Sequence, residues 1–303
     1  MVIYLNTNCC GGKGLERWNR VKDYFLNSDV VIIQTTDNNY LSELKKHIEK
    51  GETQFLAAGG DGTVNYLLNF IIKNTAPDRL PQINLGAIGI GSSNDFHKPS
   101  SVMIEDISVC HNFINAYLRD VGVIKYESIN GKIEKYFFIN ASIGITAQAN
   151  KIFNSSFWLL RTMKRTNTKL AILFSAIKTI LFYKNLNAEI CINNNKLRTQ
   201  ITNLGITKNP HFSGDFCYDC KADYTNGKFD VHLAQYMNKY EIFKLMSSLT
   251  RNNFSKLKKV KSWQSDTITI TSPKDFEVEY DGEVILTNNV EFTILKQAIK
   301  VCK

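Results

Sequence analysis

Residues 59–63, with the sequence Gly-Gly-Asp-Gly-Thr, have the composition of a turn that binds an anion. An apolar run at 55–58 precedes them, and apolar residues at helical spacing follow from Val64. A glycine turn between a strand and a helix directs backbone N–H groups and the positive end of the helix at a phosphate. Asp61 would repel that phosphate unless a cation lay between them, which indicates a nucleotide bound with Mg²⁺. Thr63 is the predicted cap of the helix, and a glycine turn without a ligand is the simpler alternative.

The same turn resembles the nucleotide-binding motif of the diacylglycerol-kinase and sphingosine-kinase catalytic family. NAD kinases and 6-phosphofructokinases share that motif more distantly. The turn has no Gly-Lys-Ser/Thr, so it is not a Walker A loop, and it lacks the Gly-x-Gly-x-x-Gly spacing of a dinucleotide turn. The resemblance implies that ATP contacts seven residues here: Gly59, Gly60, Asp61, Gly62, Thr63, Val64 and Asn65.

Three further segments resemble parts of the family that contact nucleotide. After the first predicted strand, 2–5, a glycine-rich turn resembles a phosphate loop, although Thr7 stands where proline is usual. A threonine pair ends the second strand, 30–34. Residues 91–96 resemble a Gly-Thr-Gly-Asn-Asp-Phe segment, with Ser93 in place of its second glycine. The implied ATP contacts are Asn6, Gly11 and Gly12, then Thr35 and Thr36, then Gly91, Ser92, Asn94 and Asp95.

Residues 281–283, Asp-Gly-Glu, resemble the catalytic turn of the same family. Two carboxylates on either side of a glycine fit a tight turn, and one of them can accept the proton of a hydroxyl group. The resemblance implies that Glu283 or Asp281 is this base, while Asp61 and Asp95 organise Mg²⁺ and the phosphates. We favour Glu283 because its longer side chain reaches further. A strand-end turn without a catalytic role is the alternative.

Residues 219–231 resemble a family loop, Asp-Gly-x-Leu-Asp, that holds a structural divalent ion. The resemblance implies three ligands, which are Asp223, Asn226 and the carbonyl of Lys228. Asn226 stands where the family has an acidic residue, and a lower ligand charge weakens the binding of a divalent ion. An Asn-Gly hairpin turn without metal is the alternative.

The order of predicted elements indicates two domains. Strands and helices alternate at first, with a further helix at 104–118, and this order predicts a parallel sheet covered on both faces. Ligands of such sheets bind at the carboxyl ends of the strands, where the glycine-rich loops would meet. Many short strands follow, which indicates a β-sandwich. We therefore expect a three-layer α/β domain followed by a β-sandwich domain. The resemblance implies their limits and roles, which are a nucleotide-binding domain at 1–123, completed by a returning segment at about 294–303, and a β-sandwich domain for the lipid at 124–293.

Composition and charge restrict the partners of the chain. Its 303 residues are 44% hydrophobic and 21% charged, as in ordinary globular proteins. The net charge of +9 indicates an acidic partner such as nucleotide phosphates or anionic lipid headgroups. Nucleic acid is not expected, because no nucleic-acid-reading module is recognisable. An apolar helix predicted at 159–183 has a basic front, which fits peripheral contact with an anionic membrane, and a core helix is the alternative.

Seven scattered cysteines and the absence of a signal peptide predict a cytoplasmic protein, placed at the inner face of the membrane when it contacts lipid. The oligomeric state, monomer or homodimer, stays open.

These features predict an ATP- and Mg²⁺-dependent lipid kinase that passes the γ-phosphoryl group to a lipid hydroxyl. Diacylglycerol and sphingoid bases are both compatible acceptors. A sphingoid amine would favour an acidic residue at position 148, and Gln148 favours a neutral hydroxyl, as in diacylglycerol. An NAD kinase is an alternative that accounts less well for the Asp-Gly-Glu turn. A non-catalytic nucleotide sensor also stays open, because Ser93 and Tyr66 (where family members usually carry Glu) depart from the family pattern.

Overall fold

The computed structural model describes residues 1–26, 29–99, 101–128, 131–155 and 168–303. The chain divides into two compact units, Met1–Val121 with Lys296–Lys303 and Gly122–Leu295. The predicted domain limits, 123 and about 294, differ from these unit limits by two residues.

The first unit is built on a parallel sheet. Its four parallel strands have the order β2-β1-β3-β4, and nearly every side chain in the three inner strands is buried. This burial fits a parallel sheet covered by helices and confirms the predicted α/β architecture. The elements are β1 (Val2–Leu5), α1 (Gly14–Val21), β2 (Val31–Gln34), α2 (Tyr40–Glu49), β3 (Gln54–Gly59), α3 (Asp61–Asn74), β4 (Asn84–Gly89), β5 (Val102–Ile104), β6 (Ile107–Cys110) and β7 (Tyr117–Ser128).

The prediction of a helix at 104–118 is wrong. Strands β5 and β6 form an antiparallel hairpin there, and β6 also pairs with β4. Ile107 and Val109 are buried on either side of the less buried Ser108, which is the two-residue alternation of a strand. The prediction failed because a short segment rich in β-branched residues satisfies helical spacing by chance, while the free edge of β4 offers backbone partners.

The second unit is an antiparallel β structure. Its main strand order is β15-β14-β11-β10-β16-β17, β9 pairs with both β11 and β16, and β7 with β8 forms a hairpin. The sequence also predicts a hairpin at 127–132 with Asn130-Gly131 as a type I′ turn, and Asn130 lies outside the described residues. The elements are β8 (Gly131–Phe137), β9 (Asn140–Gly144), α4 (Ile145–Asn154), α5 (Thr168–Phe182), β10 (Leu186–Ile192), β11 (Asn195–Thr207), β12 (His211–Phe212), β13 (Phe216–Cys217), β14 (Phe229–Gln235), α6 (Lys239–Thr250), β15 (Val260–Ser265), β16 (Ile268–Tyr280) and β17 (Glu283–Val301).

One apolar core unites the strands of the second unit. It draws buried side chains from eight strands between β7 and β17, as expected when a sheet folds over its own face. A second cluster packs α6 and the end of α5 against this unit. The predicted helix at 159–183 is described only from residue 168 onwards. Within the described residues, no helix is both long enough and apolar enough to cross a membrane.

The last strand belongs to both units. β17 starts in the second unit, and its end pairs in parallel with β4, with Lys300 opposite Asn84 and Val301 opposite Leu85. The first unit is therefore completed by residues far from the rest of it in sequence.

Candidate functional site

The turn after β3 leads directly into helix α3. Gly60 is the N-cap in an extended conformation, and no side chain among the described residues caps this helix. The prediction that Thr63 caps the helix is wrong, since Thr63 lies in the first turn and its Oγ1 accepts a hydrogen bond from Asn6 Nδ2 at 3.1 Å. Because the first N–H groups of a helix lack intrahelical acceptors, this helix start can receive an anion.

The turns after β3 and β4 pass each other at van der Waals distance. A Cβ atom added to Gly91 would lie 2.2 Å from the Cα of Gly60, and the N–H of Gly91 donates to the carbonyl of Gly59 at 3.0 Å. Glycine is required at position 91 for this close approach. A Cβ added to Gly62, in contrast, would meet no atom within 4 Å. The structure therefore brings two predicted nucleotide loops together and leaves space beside the helix start.

Asp61 also binds the far end of the loop after β4. Its two carboxylate oxygens accept the N–H groups of Asp95 and Phe96 at 3.0 and 2.9 Å. Asp95 forms an ion pair with Lys98 at 2.7 Å. The carboxylates of Asp61 and Asp95, which were expected to organise Mg²⁺, therefore both contact protein groups. The groups that Asp61 contacts are backbone N–H groups of the predicted nucleotide loop at 91–96.

The 91–96 loop has Ser93 where the family has its second glycine, and its backbone turns at the next residue instead. Asn94, rather than Ser93, adopts the left-handed conformation, with φ 52°. Its Nδ2 donates to the carbonyls of Gly89 and Gly91. Its Oδ1 is buried without a hydrogen-bond partner among the described residues. That acceptor fits a hydroxyl or amino donor of a bound nucleotide, because a buried acceptor is normally satisfied.

The loop after β1 lies beside the loops after β3 and β4. Its residues Gly11 and Gly12 have positive φ, and a Cβ added to Gly12 would meet no atom within 4 Å. Arg17, in α1, donates to the carbonyls of Ile90 and Gly91. Arg17 was not predicted as a site residue, although its position three residues after a glycine turn, in the first helical turn, indicates a charge beside the loops.

The remaining predicted nucleotide residues occupy less central positions. Thr35 and Thr36 follow the edge strand β2, where the N–H of Thr35 donates to the carbonyl of Leu5 at 2.9 Å. Val64 is buried in the core, and Asn65 accepts hydrogen bonds from Asn69 Nδ2 through its carbonyl and its Oδ1. Ser92 is exposed. A contact of these residues with ATP stays a prediction.

In the second unit, the first two residues of the Asp-Gly-Glu sequence form a hairpin turn between β16 and β17. Tyr280 pairs with Glu283, and Asp281 and Gly282 both have positive φ, at 42° and 93°, as in a type I′ turn. Asp281 is only 4% exposed, and its carboxylate accepts the N–H groups of three consecutive residues at 2.7–3.1 Å. These donors are Phe138, Ile139 and Asn140.

Glu283 stands at the exposed end of this turn. The two candidate bases therefore have different environments, because Asp281 is engaged by backbone donors and Glu283 faces solvent. Glu279 was not predicted as a site residue. It is buried and accepts hydrogen bonds from Ser142 Oγ at 2.8 Å and from the N–H of Gly282 at 2.9 Å. Glu279 and Asp281 together fix the turn that presents Glu283.

The loop predicted to hold a divalent ion contains a lysine ammonium instead. Lys208 Nζ donates to Asn226 Oδ1 at 3.0 Å and to the carbonyl of Lys228 at 2.8 Å. Asp223 Oδ1 accepts the N–H groups of Thr225 and Asn226 within the same turn. Two of the three predicted ligands therefore contact an ammonium group, so the donor set does not fit a divalent ion, and the expectation is corrected. Among the described residues, no group of three or more His, Cys, Asp or Glu side chains could hold a metal.

Comparisons with known proteins agree with this geometry. The diacylglycerol kinase catalytic domain matches residues 1–126, and the YegS C-terminal NAD kinase beta sandwich-like domain matches residues 140–303. A diacylglycerol kinase of Staphylococcus epidermidis is 25% identical over 265 residues, covering 86% of this chain and 77% of that protein. A diacylglycerol kinase of Staphylococcus saprophyticus is 24% identical over 262 residues, covering 86% and 80%.

Solved structures show the same fold. The structure of a diacylglycerol kinase from Bacillus anthracis has a TM-score of 0.62 at 12% identity and covers 99% of this chain and 95% of that chain. Yeast NADH kinase complexed with NADH has a TM-score of 0.51 at 10% identity and covers 99% and 81%. The α/β unit followed by a β-sandwich is thus confirmed. With family matches over both units, the chain belongs to the diacylglycerol-kinase-like family of lipid kinases.

Proposed function

We propose that this kinase transfers the γ-phosphoryl group of ATP to the hydroxyl of a neutral lipid, with diacylglycerol as the expected acceptor. The observation that carries the proposal is the uncapped start of α3, where the Gly60 and Gly91 turns cross and leave space beside Gly62. This arrangement fits phosphates, and the unsatisfied Oδ1 of Asn94 fits a donor on the rest of a nucleotide.

In this proposal, ATP is held mainly by backbone groups. The N–H groups at the start of α3 and the loops around Gly12 and Gly91 bind phosphates, and Arg17 keeps the last loop in place. When ATP is bound with Mg²⁺, the ion would supply charge neutralisation for the transfer. Asp61 acts by keeping the 95–96 backbone against the helix.

Glu283 is the proposed base that accepts the proton of the lipid hydroxyl. Asp281 is less suited to this role, because proton uptake would weaken the three N–H bonds that its carboxylate accepts. Phosphoryl transfer depends mostly on positioning, so a rigid turn that holds one carboxylate suits the reaction. The proposed roles are thus ATP binding in the first unit and hydroxyl activation in the second.

The surroundings of Gln148 support a neutral acceptor. The nearby carboxylate of Glu277 forms an ion pair with Lys151 at 2.8 Å and accepts from Gln148 Nε2 at 3.5 Å. A sphingoid amine would have to compete with Lys151 for this carboxylate. Diacylglycerol brings no positive charge and needs no such exchange.

The test is transfer of labelled phosphate from ATP·Mg²⁺ to a panel of diacylglycerol, a sphingoid base and NAD in mixed micelles. We expect labelled diacylglycerol from the unaltered protein and no turnover in Asp61→Ala. Labelled NAD would favour the NAD-kinase alternative, whose fold this chain shares. Binding of ATP with no labelled product would favour a nucleotide sensor. Near-normal turnover in Asp61→Ala would overturn the proposed nucleotide site.

A membrane surface is the proposed partner of α5 and α6. Leu181 and Phe182 end α5, with Phe182 76% exposed, and Tyr240 and Phe243 project into solvent from α6. Lys239 Nζ donates to three carbonyls at the end of α5, which holds the two helix ends together. Exposed aromatic residues beside lysines suit the interface of an anionic bilayer.

Cosedimentation with vesicles tests this partner. We expect binding to phosphatidylglycerol vesicles, weaker binding to phosphatidylcholine vesicles, and loss of binding in the double variant Phe182→Ser/Phe243→Ser. Tyr24→Ser is the matched control, because Tyr24 is similarly exposed but lies in the first unit. A doubled mass by light scattering, removed by the double variant without any vesicle binding, would instead assign this surface to a homodimer.

A further inference from the structure

The side chain of Lys208 is an internal cation at the end of β11. The residue is 2% exposed, and its Nζ contacts the carbonyl of Lys228 and Oδ1 of Asn226 at 2.8 and 3.0 Å. A buried ammonium is stable only where oxygen atoms replace its lost water. These two contacts supply such oxygens from the loop that precedes β14.

The distances and charges of this site match an ammonium group better than a divalent ion. Mg²⁺ and Ca²⁺ require about six or more oxygens at roughly 2.0–2.6 Å, whereas an ammonium donates three hydrogen bonds at about 2.8–3.0 Å. The carbonyl of Lys228 and Oδ1 of Asn226 are uncharged oxygens, and Asn226 Oδ1 also accepts the N–H of Lys228. Burial raises the pKa of the nearby Asp230 carboxyl, and the charge of Lys208 acts in the opposite direction, so the two groups interact electrostatically.

We propose that the Lys208 ammonium replaces a divalent cation as the organising charge of the 223–228 loop, so that the fold of this loop is independent of Mg²⁺. Asn226 fits the exchange, because a single positive charge needs fewer anionic partners than a divalent ion. The Lys208 ammonium and the neutral Asn226 amide are thus matched in charge.

This cation lies close in the hydrogen-bond network to the Asp-Gly-Glu turn. The N–H groups of Lys208 and Asn209 donate to the carbonyl of Ile139 at 2.9 and 3.0 Å. The N–H of Ile139 donates to the carboxylate of Asp281. The backbone at residue 139 is therefore held from one side by the lysine segment and from the other by the turn.

The test uses the full chain stripped of metal, without nucleotide or lipid, so it does not depend on the proposed function. Mn²⁺ binding is measured by electron paramagnetic resonance, and thermal unfolding is measured with EDTA and with Mg²⁺. We expect no Mn²⁺ signal that depends on Asn226 and no change of the unfolding midpoint between EDTA and Mg²⁺.

Variants separate the ammonium from the loop. We expect Lys208→Ala to lower the unfolding midpoint by about 5 °C or more, because it removes a buried side chain and the two hydrogen bonds that this side chain donates to the loop. Lys228→Ala is the matched control with little effect, since its side chain is exposed and its carbonyl is retained. In Lys208→Ala/Asn226→Asp, Mg²⁺ should raise the midpoint, because the charge pattern of a metal loop is restored.

Two results would overturn the proposal. One is stoichiometric Mn²⁺ binding by the unaltered protein that Asn226→Ala abolishes. The other is a midpoint of Lys208→Ala equal to that of Lys228→Ala. If Lys208→Ala does not fold, Lys208→Gln takes its place, and the Mn²⁺ measurement on the unaltered protein still decides.

Discussion

The Asp-Gly turns of the two units use an aspartate in the same way. Asp61 accepts two backbone N–H groups from a loop more than thirty residues away, and Asp281 accepts three from a segment more than a hundred residues away. They differ in what lies beside them. The first turn exposes the start of a helix, whereas the second exposes a carboxylate, Glu283. In both turns the aspartate holds the backbone of a distant segment, and in the proposed mechanism the groups beside it bind phosphate or accept the proton.

The largest expected effect comes from the exposed carboxylate. Glu283→Gln should lower kcat for lipid phosphorylation by about 10²–10⁴-fold, because a general base is lost. The thermal midpoint should stay unchanged, since the side chain is exposed. Turnover and melting are measured on the same preparation. A kcat within a few-fold of the unaltered enzyme would remove Glu283 from the mechanism.

The buried aspartate should instead affect stability. Asp281→Asn should reduce the free energy of unfolding by about 3 kcal/mol, because an amide NH₂ replaces one of the two oxygens that accept three N–H bonds. Denaturant titration measures the loss, and Asp275→Asn, an exposed site on the same strand, is the control. Equal stability of both variants would contradict the positioning role of Asp281.

A smaller loss of stability is expected in the first unit. Asp61→Asn should cost about 1–2 kcal/mol, because Asp61 accepts two N–H bonds from the loop and is less buried than Asp281. ATP affinity should fall as the 91–96 loop loosens, as measured by titration calorimetry. Asp78→Asn is the exposed control in this unit. A stability loss larger than that of Asp281→Asn would reverse the ranking of the two turns.

Acid should weaken the two units to a similar and modest extent. Burial lowers the pKa of His97 in the first unit and of His232 in the second to about 4. Below the unfolded pKa of about 6.5, the unfolded chain takes up protons that the folded chain does not, so stability falls as the pH drops from about 6.5 towards 4. At pH 5.5 each histidine should account for about 1 kcal/mol of lost stability.

Denaturant melts between pH 7.5 and 5 measure this effect, and His97→Gln and His232→Gln should each flatten the profile. His47→Gln is the control, because His47 lies on a helix that is partly exposed. A profile that neither of the two buried-site variants changes would assign the acid sensitivity to carboxylates.

The positions of the nucleotide loops followed from the sequence because local patterns determine them. The order of strands and turns predicted that the loops after β1, β2 and β3 would meet. The hydrogen bond from Asn6 to Thr63 joins the loops after β1 and β3, and the close approach of Gly91 to Gly60 adds the loop after β4. The Asp-Gly-Glu turn was also predictable. The likeness to a known family added the division into two domains and the returning strand.

Features that depend on distant contacts were not predictable. The N–H groups that Asp61 and Asp281 accept come from other loops, and no local spacing indicates them. The free edge of β4 decided that 104–118 forms strands. The contact between Lys208 and Asn226 joins residues 18 positions apart in sequence. In each case the deciding partner is remote in sequence.

The shared strand β17 has a consequence for the order of folding. A nascent chain emerges from its amino end, so the first unit remains without its final strand until residues 296–303 have been synthesised. The second unit ends at Leu295, so both units are completed by the same last strand, and the first unit cannot finish folding ahead of the second as amino-terminal domains usually do. Until then, part of one edge of β4 stays open, and a prematurely released fragment would keep that edge available for aggregation.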